Sequence, residues 1–126
     1  MTRLLLVEDN DINRGMETRM LQKLGYDVDA VTNGADALAE LEKADYDAVL
    51  LDVQMPVMDG FATARAIRAG GRAELPIIAI TAHAFASDRE RCLAAGMNDY
   101  LAKPITLRTL GEMVERWTGE IVATTP

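Results

Sequence analysis

The sequence predicts an α/β protein built on a doubly wound parallel sheet. Three short apolar runs, at residues 4–7, 48–51 and 77–80, have the length of strands and no polar position that would mark a solvent-facing side. Helical patterns separate these runs, so strands and helices alternate along the chain. That alternation is typical of a parallel sheet with helices on both faces.

Two further strands complete the predicted sheet. Residues 28–31 mix apolar and charged side chains, which suits an outer strand, and the short run at 99–101 suits the opposite edge. Five strand–helix units fit the flavodoxin-like strand order 2-1-3-4-5, which is adopted by analogy with known sheets of this size. In such sheets ligands bind beyond the carboxyl ends of the strands, near the switch point between the first and third strands.

Five helices are predicted from apolar spacing and from end signals. The apolar positions at helical spacing in the first three helices are Ile12, Met16, Met20 and Leu24, then Leu38 and Leu41, then Phe61, Ala64 and Ile67. We expect the fifth helix to bury four apolar residues: Leu107, Leu110, Met113 and Trp117. The start signals are the Asn33-Gly34 turn, Asp59, a capping box of Ser87 with Glu90, and Thr106. The stop signals are Gly25, Gly70-Gly71 and Gly96.

The composition excludes several classes of function. The chain has 126 residues, which suits one domain, and a formal net charge of -7, so it is a poor candidate for direct binding to nucleic acid. No apolar run approaches a membrane span and no signal segment opens the chain, so we expect a cytoplasmic protein without membrane insertion. Cys92 is the only cysteine, which excludes an internal disulfide and favours a buried core position.

Polar residues follow the predicted central strands. Glu8 and Asp9 follow the first strand, Asp52 ends the third, and Thr81 ends the fourth; Lys103 follows the fifth. Each of these residues alone would suit a turn, a helix cap or a solvated charge. In the predicted topology all of them meet at one edge of the sheet, and that coincidence predicts a functional site.

Three carboxylates at one edge need a cation. Two unit charges about 4 Å apart repel by roughly 4 kcal/mol at an effective dielectric constant of 20. Hard oxygen ligands favour Mg²⁺, and Lys103 supplies a further positive charge. Asp52 directly follows a buried run and no helix begins at once after it, so a capping role fits it poorly.

Four segments resemble the receiver domains of two-component response regulators. They are Leu-Val-Glu-Asp-Asn at 6–10, Leu-Asp-Val-Gln-Met-Pro-Val-Met-Asp-Gly at 51–60, Ile-Thr-Ala-His-Ala at 80–84, and Gly-Met-Asn-Asp-Tyr-Leu-Ala-Lys-Pro at 96–104. The resemblance covers residues 3 to about 118 and implies a single receiver domain over 1–126 with a short C-terminal tail.

The resemblance implies a phosphoacceptor and its metal ligands. Asp52 is implied to take a phosphoryl group from a phosphohistidine donor. Asp9, Asp52 and the backbone carbonyl of Gln54 are implied to bind Mg²⁺, with Glu8 acting through water. His83 lies two positions after Thr81 and suits a solvated loop residue better than a catalytic one; the alternative hypothesis is that it tunes hydrolysis of the phosphoryl group together with Gln54 without being required for phosphorylation.

The resemblance also implies a switch. Lys103 is implied to pair with the phosphoryl group, and the peptide bond before Pro104 is often cis in the family. Thr81 is implied to hydrogen-bond the phosphoryl group and to reposition, while Tyr100 turns inward. We expect the output face to consist of the fourth helix, the edge strand and the fifth helix.

The implied partners are a histidine kinase or a histidine phosphotransfer protein as phosphodonor, and an unknown downstream protein. We expect the donor to meet the first helix at Asn13, Met16 and Arg19. The chain resembles the receivers of hybrid histidine kinases, or those served by histidine phosphotransfer proteins, at Asn10, at Asn13 and over residues 81–84. Met1 lies directly before the first strand, which instead favours a free-standing regulator. No output domain follows Trp117, so we expect the output to pass through a partner protein. The domain is implied to assist its own phosphorylation and dephosphorylation without being an enzyme.

Other classes of protein fit less well. A phosphatase with an aspartyl-phosphate intermediate would carry a second Asp two positions after the nucleophile, where this chain has Gln54, and there is no room for a cap domain. A flavin-binding electron carrier would need a hydroxyl- and glycine-rich loop where this chain has Glu8 and Asp9. A plain interaction module, and a relay that passes on phosphoryl groups without changing its surface, remain open.

Overall fold

The computed structural model of the chain describes residues 2–53, 60–81 and 86–119. The strands are β1 (Arg3–Val7), β2 (Asp27–Val31), β3 (Ala48–Asp52), β4 (Ile77–Thr81) and β5 (Asp99–Ala102). The helices are α1 (Asp11–Lys23), α2 (Gly34–Lys43), α3 (Gly60–Ala69), α4 (Ala86–Ala94) and α5 (Leu107–Thr118). In this part of the chain no helix combines the length and the apolar character that crossing a membrane requires.

The five strands form one parallel sheet in the order β2-β1-β3-β4-β5, which confirms the predicted topology. The three central strands, β1, β3 and β4, are buried almost along their whole length, whereas β2 and β5 form the half-exposed edges. Val7 pairs with Leu51 and Asp52 pairs with Ile80, so the carboxyl ends of the central strands lie side by side. This register brings the residues that follow the strands to one place.

One apolar cluster covers each face of the sheet. Alternate residues of a strand point to opposite faces, so Leu5 belongs to one cluster and Leu6 to the other. The Leu5 side is covered by α2, α3 and α4, where Cys92 is buried as predicted. The Leu6 side is covered by α1 and α5 through residues such as Leu21 and Leu110. The sheet is therefore packed between two layers of helices.

Most of the predicted helix ends are confirmed. Thr106 caps α5, because its side chain accepts a hydrogen bond from the backbone N–H of Thr109 while the Thr109 hydroxyl accepts one from the Thr106 N–H. Gly25 and Gly96 follow α1 and α4 with φ of +96° and +97°, a conformation that favours glycine. Asp59 lies outside the described residues.

Two predicted starts are wrong in detail. The fourth helix begins at Ala86, so Ser87 lies inside its first turn and is not the cap. Asn33 is itself the cap of α2, because its side chain accepts a hydrogen bond of 2.8 Å from the backbone N–H of Asp36. The Asn33-Gly34 pair therefore begins the helix and does not form a separate turn.

The apolar spacing in α1 marks its buried face for two of the four predicted residues, because Met20 and Leu24 are half-buried and pack against the cluster on the Leu6 side of the sheet, whereas Ile12 and Met16 do not. Ile12 is 81% exposed and Met16 is 40% exposed. The helix buries Glu17 and Leu21, one turn apart, against the sheet. A helix that exposes large apolar side chains and buries a carboxyl group departs from simple amphipathic patterning, and both departures lie near the functional site.

The prediction for the buried face of α5 is correct for two of its four residues. Leu110 and Met113 are buried in the apolar cluster on the Leu6 side of the sheet. Leu107 and Trp117 are half-buried, and Trp117 packs against the edge of that cluster. The Trp117 indole N–H donates a hydrogen bond of 3.0 Å to Asp99 Oδ2, which explains why this side chain stays at the surface.

Candidate functional site

The carboxyl groups of Glu8, Asp9 and Asp52 come together beyond the ends of β1 and β3. One oxygen atom of each lies within 4.8 Å of the other two. Glu8 is completely buried and Asp52 is 4% exposed, while Asp9 reaches further toward solvent. The register causes this meeting, because Val7 lies opposite Leu51 and the next residue on each strand carries a carboxyl group.

Lys103 brings positive charge to this acid cluster. Its ammonium nitrogen lies 3.5 Å from Glu8 Oε1 and 3.9 Å from Asp52 Oδ2. The backbone N–H of Lys103 donates a hydrogen bond of 2.8 Å to the carbonyl oxygen of Thr81, which fixes the loop after β5 beside the end of β4. The peptide bond between Lys103 and Pro104 is cis.

The environment of Glu8 favours its protonated form. Burial, together with a hydrogen bond to Asp52 and the negative charge of Asp52, raises the pKa of Glu8 to about 8, although the Lys103 ammonium opposes the shift. Two adjacent carboxyl groups that cannot both ionise easily hold a proton between them. The backbone N–H of Asn10 also donates to Glu8 Oε2, at 3.4 Å. The acid cluster therefore favours the binding of a proton or of a cation.

The donor set fits Mg²⁺. Carboxylate oxygens on one Mg²⁺ ion are at most about 4.2 Å apart, twice the usual ligand distance of roughly 2.1 Å. The oxygens of Asp9 and Asp52 already lie within 4.8 Å of each other, so small side-chain movements would bring both onto one ion, and Glu8 lies near enough to act through a bound water. Hard oxygen ligands and unbalanced negative charge both favour a small divalent cation.

Glu17 is a fourth acid, which the sequence analysis missed. The side chain is 2% exposed, and in the described part of the chain its Oε1 atom has no hydrogen-bond partner. Burial raises the pKa of Glu17 to about 7, with Lys103 lowering it and Asp52 raising it, so the group responds to the charges of the acid cluster. Its spacing of four positions from the buried Leu21 is the signal that could have placed it on the inner face of α1.

Two further residues shape the site through the backbone. Arg14 donates hydrogen bonds to the carbonyl oxygens of Glu8, at 3.1 Å, and Asp9, at 3.4 Å, and so braces the loop after β1. Gly60 begins α3 directly against the end of β3. A Cβ atom on Gly60 would lie 2.6 Å from the carbonyl oxygen of Asp52 and 2.4 Å from Cα of Val53. Sequence reasoning gave no role to Arg14 and treated Gly60 only as part of a motif, because one role depends on the direction of a side chain and the other on how closely α3 approaches β3.

The model of the response regulator receiver domain family matches residues 4–115. The chain belongs to this family. Receiver domains act in two-component signalling, as phosphoacceptors and not as typical enzymes. The strand order and the acid cluster at the carboxyl edge of the sheet agree with this assignment.

Solved receiver domains share the fold closely. The receiver domain of the sensor histidine kinase PA1611 from Pseudomonas aeruginosa PAO1 is 47% identical, with a TM-score of 0.87 over 94% of this chain and 98% of that one, and it has a magnesium ion coordinated in its active site cleft. The chemotaxis protein CheY4 of Vibrio cholerae is 33% identical, with a TM-score of 0.88 over 93% of this chain and 98% of that one. In the co-crystal of Saccharomyces cerevisiae Ypd1 with the receiver domain of Ssk1, the match has 28% identity and a TM-score of 0.87 over 94% of this chain and 89% of that one.

Curated relatives are much longer proteins. The sensor protein GacS of Pseudomonas syringae pv. syringae is 43% identical over 121 residues, which are 93% of this chain but 13% of that protein. The sensor histidine kinase RcsC of Escherichia coli K12 is 44% identical over 118 residues, which are 94% of this chain and 12% of that protein. The receiver domain thus corresponds to a small part of each of these relatives.

The remaining predicted residues of the receiver domain are placed as follows. Thr81 is 3% exposed at the end of β4, beside Asp52 on the neighbouring strand. Tyr100 is half-buried on β5, opposite Ala79, and packs against the cluster on the Leu5 side of the sheet. Gln54 and His83 lie outside the described residues.

Proposed function

We propose that Asp52 accepts a phosphoryl group from a phosphohistidine of a partner protein, with Mg²⁺ bound, and that the domain then presents a changed surface to another protein. The observation that carries this proposal is the meeting of three carboxyl groups within 4.8 Å, with the Lys103 ammonium 3.9 Å from Asp52. For this function we treat residues 1–126 as one receiver domain.

Asp52 is the nucleophile in this proposal. One carboxylate oxygen attacks the phosphorus atom, a P–O bond forms, and the P–N bond breaks with its electron pair passing to the imidazole of the donor. Asp52 is only 4% exposed, and α3 packs against its backbone at Gly60, so the carboxylate is held at a fixed position. Phosphoryl transfer depends mainly on such positioning and on charge stabilisation.

Positive charge around Asp52 stabilises the transferred group. Asp9, Asp52 and the carbonyl of Gln54 would hold Mg²⁺, with Glu8 acting through water, and the bound ion would supply positive charge to the phosphoryl oxygens. Lys103 can turn from Glu8 toward a phosphoryl oxygen, because its ammonium already lies between the two carboxyl groups. Thr81 supplies a hydroxyl donor from the neighbouring strand end.

The phosphodonor is proposed to be a histidine kinase or a histidine phosphotransfer protein that docks on α1. Ile12 and Met16 are exposed there, one turn apart, on the helix that follows Asp9. Exposed apolar side chains beside a site mark a protein contact. Asn13 and Arg19 would contribute polar contacts at its rim. The complex of Ypd1, a histidine phosphotransfer protein, with a receiver domain of the same fold supports this kind of partner.

The output is proposed to pass through α4, β5 and α5. Tyr100 lies on β5 and Leu93, which is 50% exposed, lies on α4 near it. A hydrogen bond from Thr81 to a charged phosphoryl group is worth roughly 1.5–3 kcal/mol, which is enough to shift two conformers of similar energy. In this account Gln54 and His83 set the lifetime of the phosphoryl group.

The proposal is tested with phosphoramidate, which carries the same type of P–N bond as phosphohistidine. Phosphorus NMR of the protein with phosphoramidate and Mg²⁺ is expected to show one acyl phosphate signal that disappears when a chelator is added beforehand. The Asp52→Asn variant is expected to give no signal. A signal of equal size in the presence of the chelator would contradict the requirement for a metal ion. An acyl phosphate signal from the Asp52→Asn variant would contradict the assignment of Asp52 as the phosphoacceptor.

A further inference from the structure

A small basic groove lies between α3 and α4, outside the acid cluster. It has a volume of about 230 Å³, and its lining consists of Phe61, Arg65, Arg91, Ala94 and Ala95. Arg65 and Arg91 are both exposed. The guanidinium carbon of Arg91 lies 4.4 Å from the centre of the Phe61 ring, so the aromatic face holds this side chain in one orientation.

The hydrogen-bond donors of these two arginines are unused within the described residues. Neither Arg65 nor Arg91 has an ion pair or a hydrogen bond to a protein acceptor there. Arg68, one turn further along α3, shows the contrast. Its guanidinium donates to the carbonyl oxygens of Gly96, Arg72 and Leu75 and to Asn98 Oδ1, at 2.6–2.9 Å. Arg68 therefore holds the fold together, whereas the described residues supply no hydrogen-bond acceptor or ion-pair partner for the two groove arginines.

The local charge is opposite to that of the chain. Residues 60–98 contain five arginines and three acids, a net charge of +2, whereas the whole chain has a net charge of -7. The net charge of this part of the chain favours an acidic partner more than the net charge of the rest of the chain does. Such a difference orients a partner as it approaches.

The size of the groove decides which kind of anion fits. Pockets that enclose small molecules usually have volumes of about 300–1,000 Å³, and this groove, at about 230 Å³, is smaller and lies at the surface. It admits side chains of another protein, because Ala94 and Ala95 leave room for close approach. The guanidinium fork matches a carboxylate with two parallel hydrogen bonds, which a lysine cannot offer.

We propose that the groove between α3 and α4 binds an acidic segment of a partner protein, with Arg65 and Arg91 each pairing with a carboxylate. Because Phe61 already orients Arg91, little side-chain freedom is lost on binding. The groove uses the side of α4 that faces α3, whereas the proposed output face uses the side that faces β5. The docking site is therefore additional to the surfaces proposed for the phosphodonor and for the output.

The test uses two synthetic helical peptides, one with Glu at every fourth position and one with Gln at the same positions. Each is titrated into the full chain at low salt and followed by amide NMR shifts. We expect saturable shifts at Phe61, Arg65, Arg91 and Ala94 with the Glu peptide and none with the Gln peptide. Replacing Arg65 and Arg91 together with Gln is expected to weaken binding by about tenfold or more, since two charge-assisted pairs are lost.

Two controls keep the outcome decisive. Arg108→Gln removes a charge from α5, where Arg108 is exposed and already paired with Glu112, and is expected to leave the affinity unchanged. Arg91→Lys keeps the charge but loses the fork and is expected to weaken binding by about threefold. Equal affinity in wild type and the double variant, or an equal loss in Arg108→Gln, would overturn the proposal. Unchanged thermal unfolding of each variant verifies the fold, and Arg65→Gln alone replaces the double variant if that one unfolds.

Discussion

The ammonium of Lys103 lies 3.5 Å from Oε1 of Glu8, a residue 95 positions earlier in the chain. Each crossover of a parallel sheet returns the carboxyl end of a strand to the same edge, which makes this meeting possible. The positive charge of Lys103 lowers the pKa of Glu8 against the effects of burial and of Asp52, and so favours the ionised carboxyl group. The lysine therefore stabilises the acid cluster, and a cation bound there would share that task.

The ligand set is tested first by changing one carboxylate. Asp9→Asn is expected to weaken Mg²⁺ binding by roughly tenfold or more, because ligand charge sets the affinity of such sites. Asp45→Asn is the matched control, since it removes the same charge from an exposed residue between α2 and β3, outside the acid cluster. Calorimetric titration gives both affinities. An Mg²⁺ affinity of Asp9→Asn equal to that of wild type would show that Asp9 is not a ligand.

The buried Glu17 predicts a pH-dependent loss of stability. Its pKa is about 7 in the folded state and near the ordinary 4.5 in the unfolded state, so between these values the folded state binds more protons. The free energy of unfolding therefore falls as pH rises through this range, by on the order of 3 kcal/mol in total. Glu17→Gln removes this loss, and we expect the variant to gain stability relative to wild type between about pH 5 and pH 8.

The measurement is urea unfolding of both proteins in metal-free buffer at the two pH values. Comparing the two pH values cancels the cost of burying the amide, which is the same at both. Glu42→Gln on the exposed side of α2 is the control and is expected to show no such gain. If the difference between Glu17→Gln and wild type is the same at both pH values, the carboxyl group of Glu17 does not titrate in this range.

Gly60 predicts a steric effect on the phosphoacceptor strand. Gly60→Ala would force a Cβ atom to within 2.6 Å of the Asp52 carbonyl oxygen, and we expect it to destabilise the protein by about 1–3 kcal/mol. Gly15→Ala, in α1, would meet only the flexible end of Arg19, at 3.6 Å, and we expect it to stabilise by up to about 1 kcal/mol. Urea unfolding measures both. Equal stability of Gly60→Ala and wild type would mean that α3 does not press on this backbone.

Glu17 and Gly60 show which features of the fold could not be predicted from the sequence. The strands could be predicted because continuous apolar runs report burial on both faces, and the site followed because strand ends in a parallel sheet converge. The burial of Glu17 could not be predicted, because a charged residue in a helix is normally assigned to the surface. The sequence pattern instead favoured Ile12 and Met16 for the buried face, and both are exposed. The role of Gly60 depends on the distance between α3 and β3, which no local pattern reports.

The switch is tested at Thr81. Thr81→Ala is expected to keep phosphorylation of Asp52 but to reduce the amide NMR shifts that beryllofluoride and Mg²⁺ cause over residues 86–110 by about half or more, because the hydrogen bond that favours the active conformer is lost. Thr81→Ser keeps the hydroxyl and is expected to behave as wild type. Identical shifts in Thr81→Ala and wild type would exclude Thr81 as the trigger. Shifts confined to the acid cluster in the wild type would indicate a relay that does not change its surface.

The most direct test of the central claim is mass spectrometry of the protein after incubation with acetyl phosphate and Mg²⁺. We expect the addition of a single phosphoryl group, its removal by hydroxylamine as for an acyl phosphate, and its assignment to Asp52 by peptide mapping. Asp52→Asn is expected to remain unmodified, while Asp45→Asn, which changes an exposed residue outside the acid cluster, is expected to be modified like wild type. Full modification of Asp52→Asn, or assignment of the phosphoryl group to any other residue, would contradict the account.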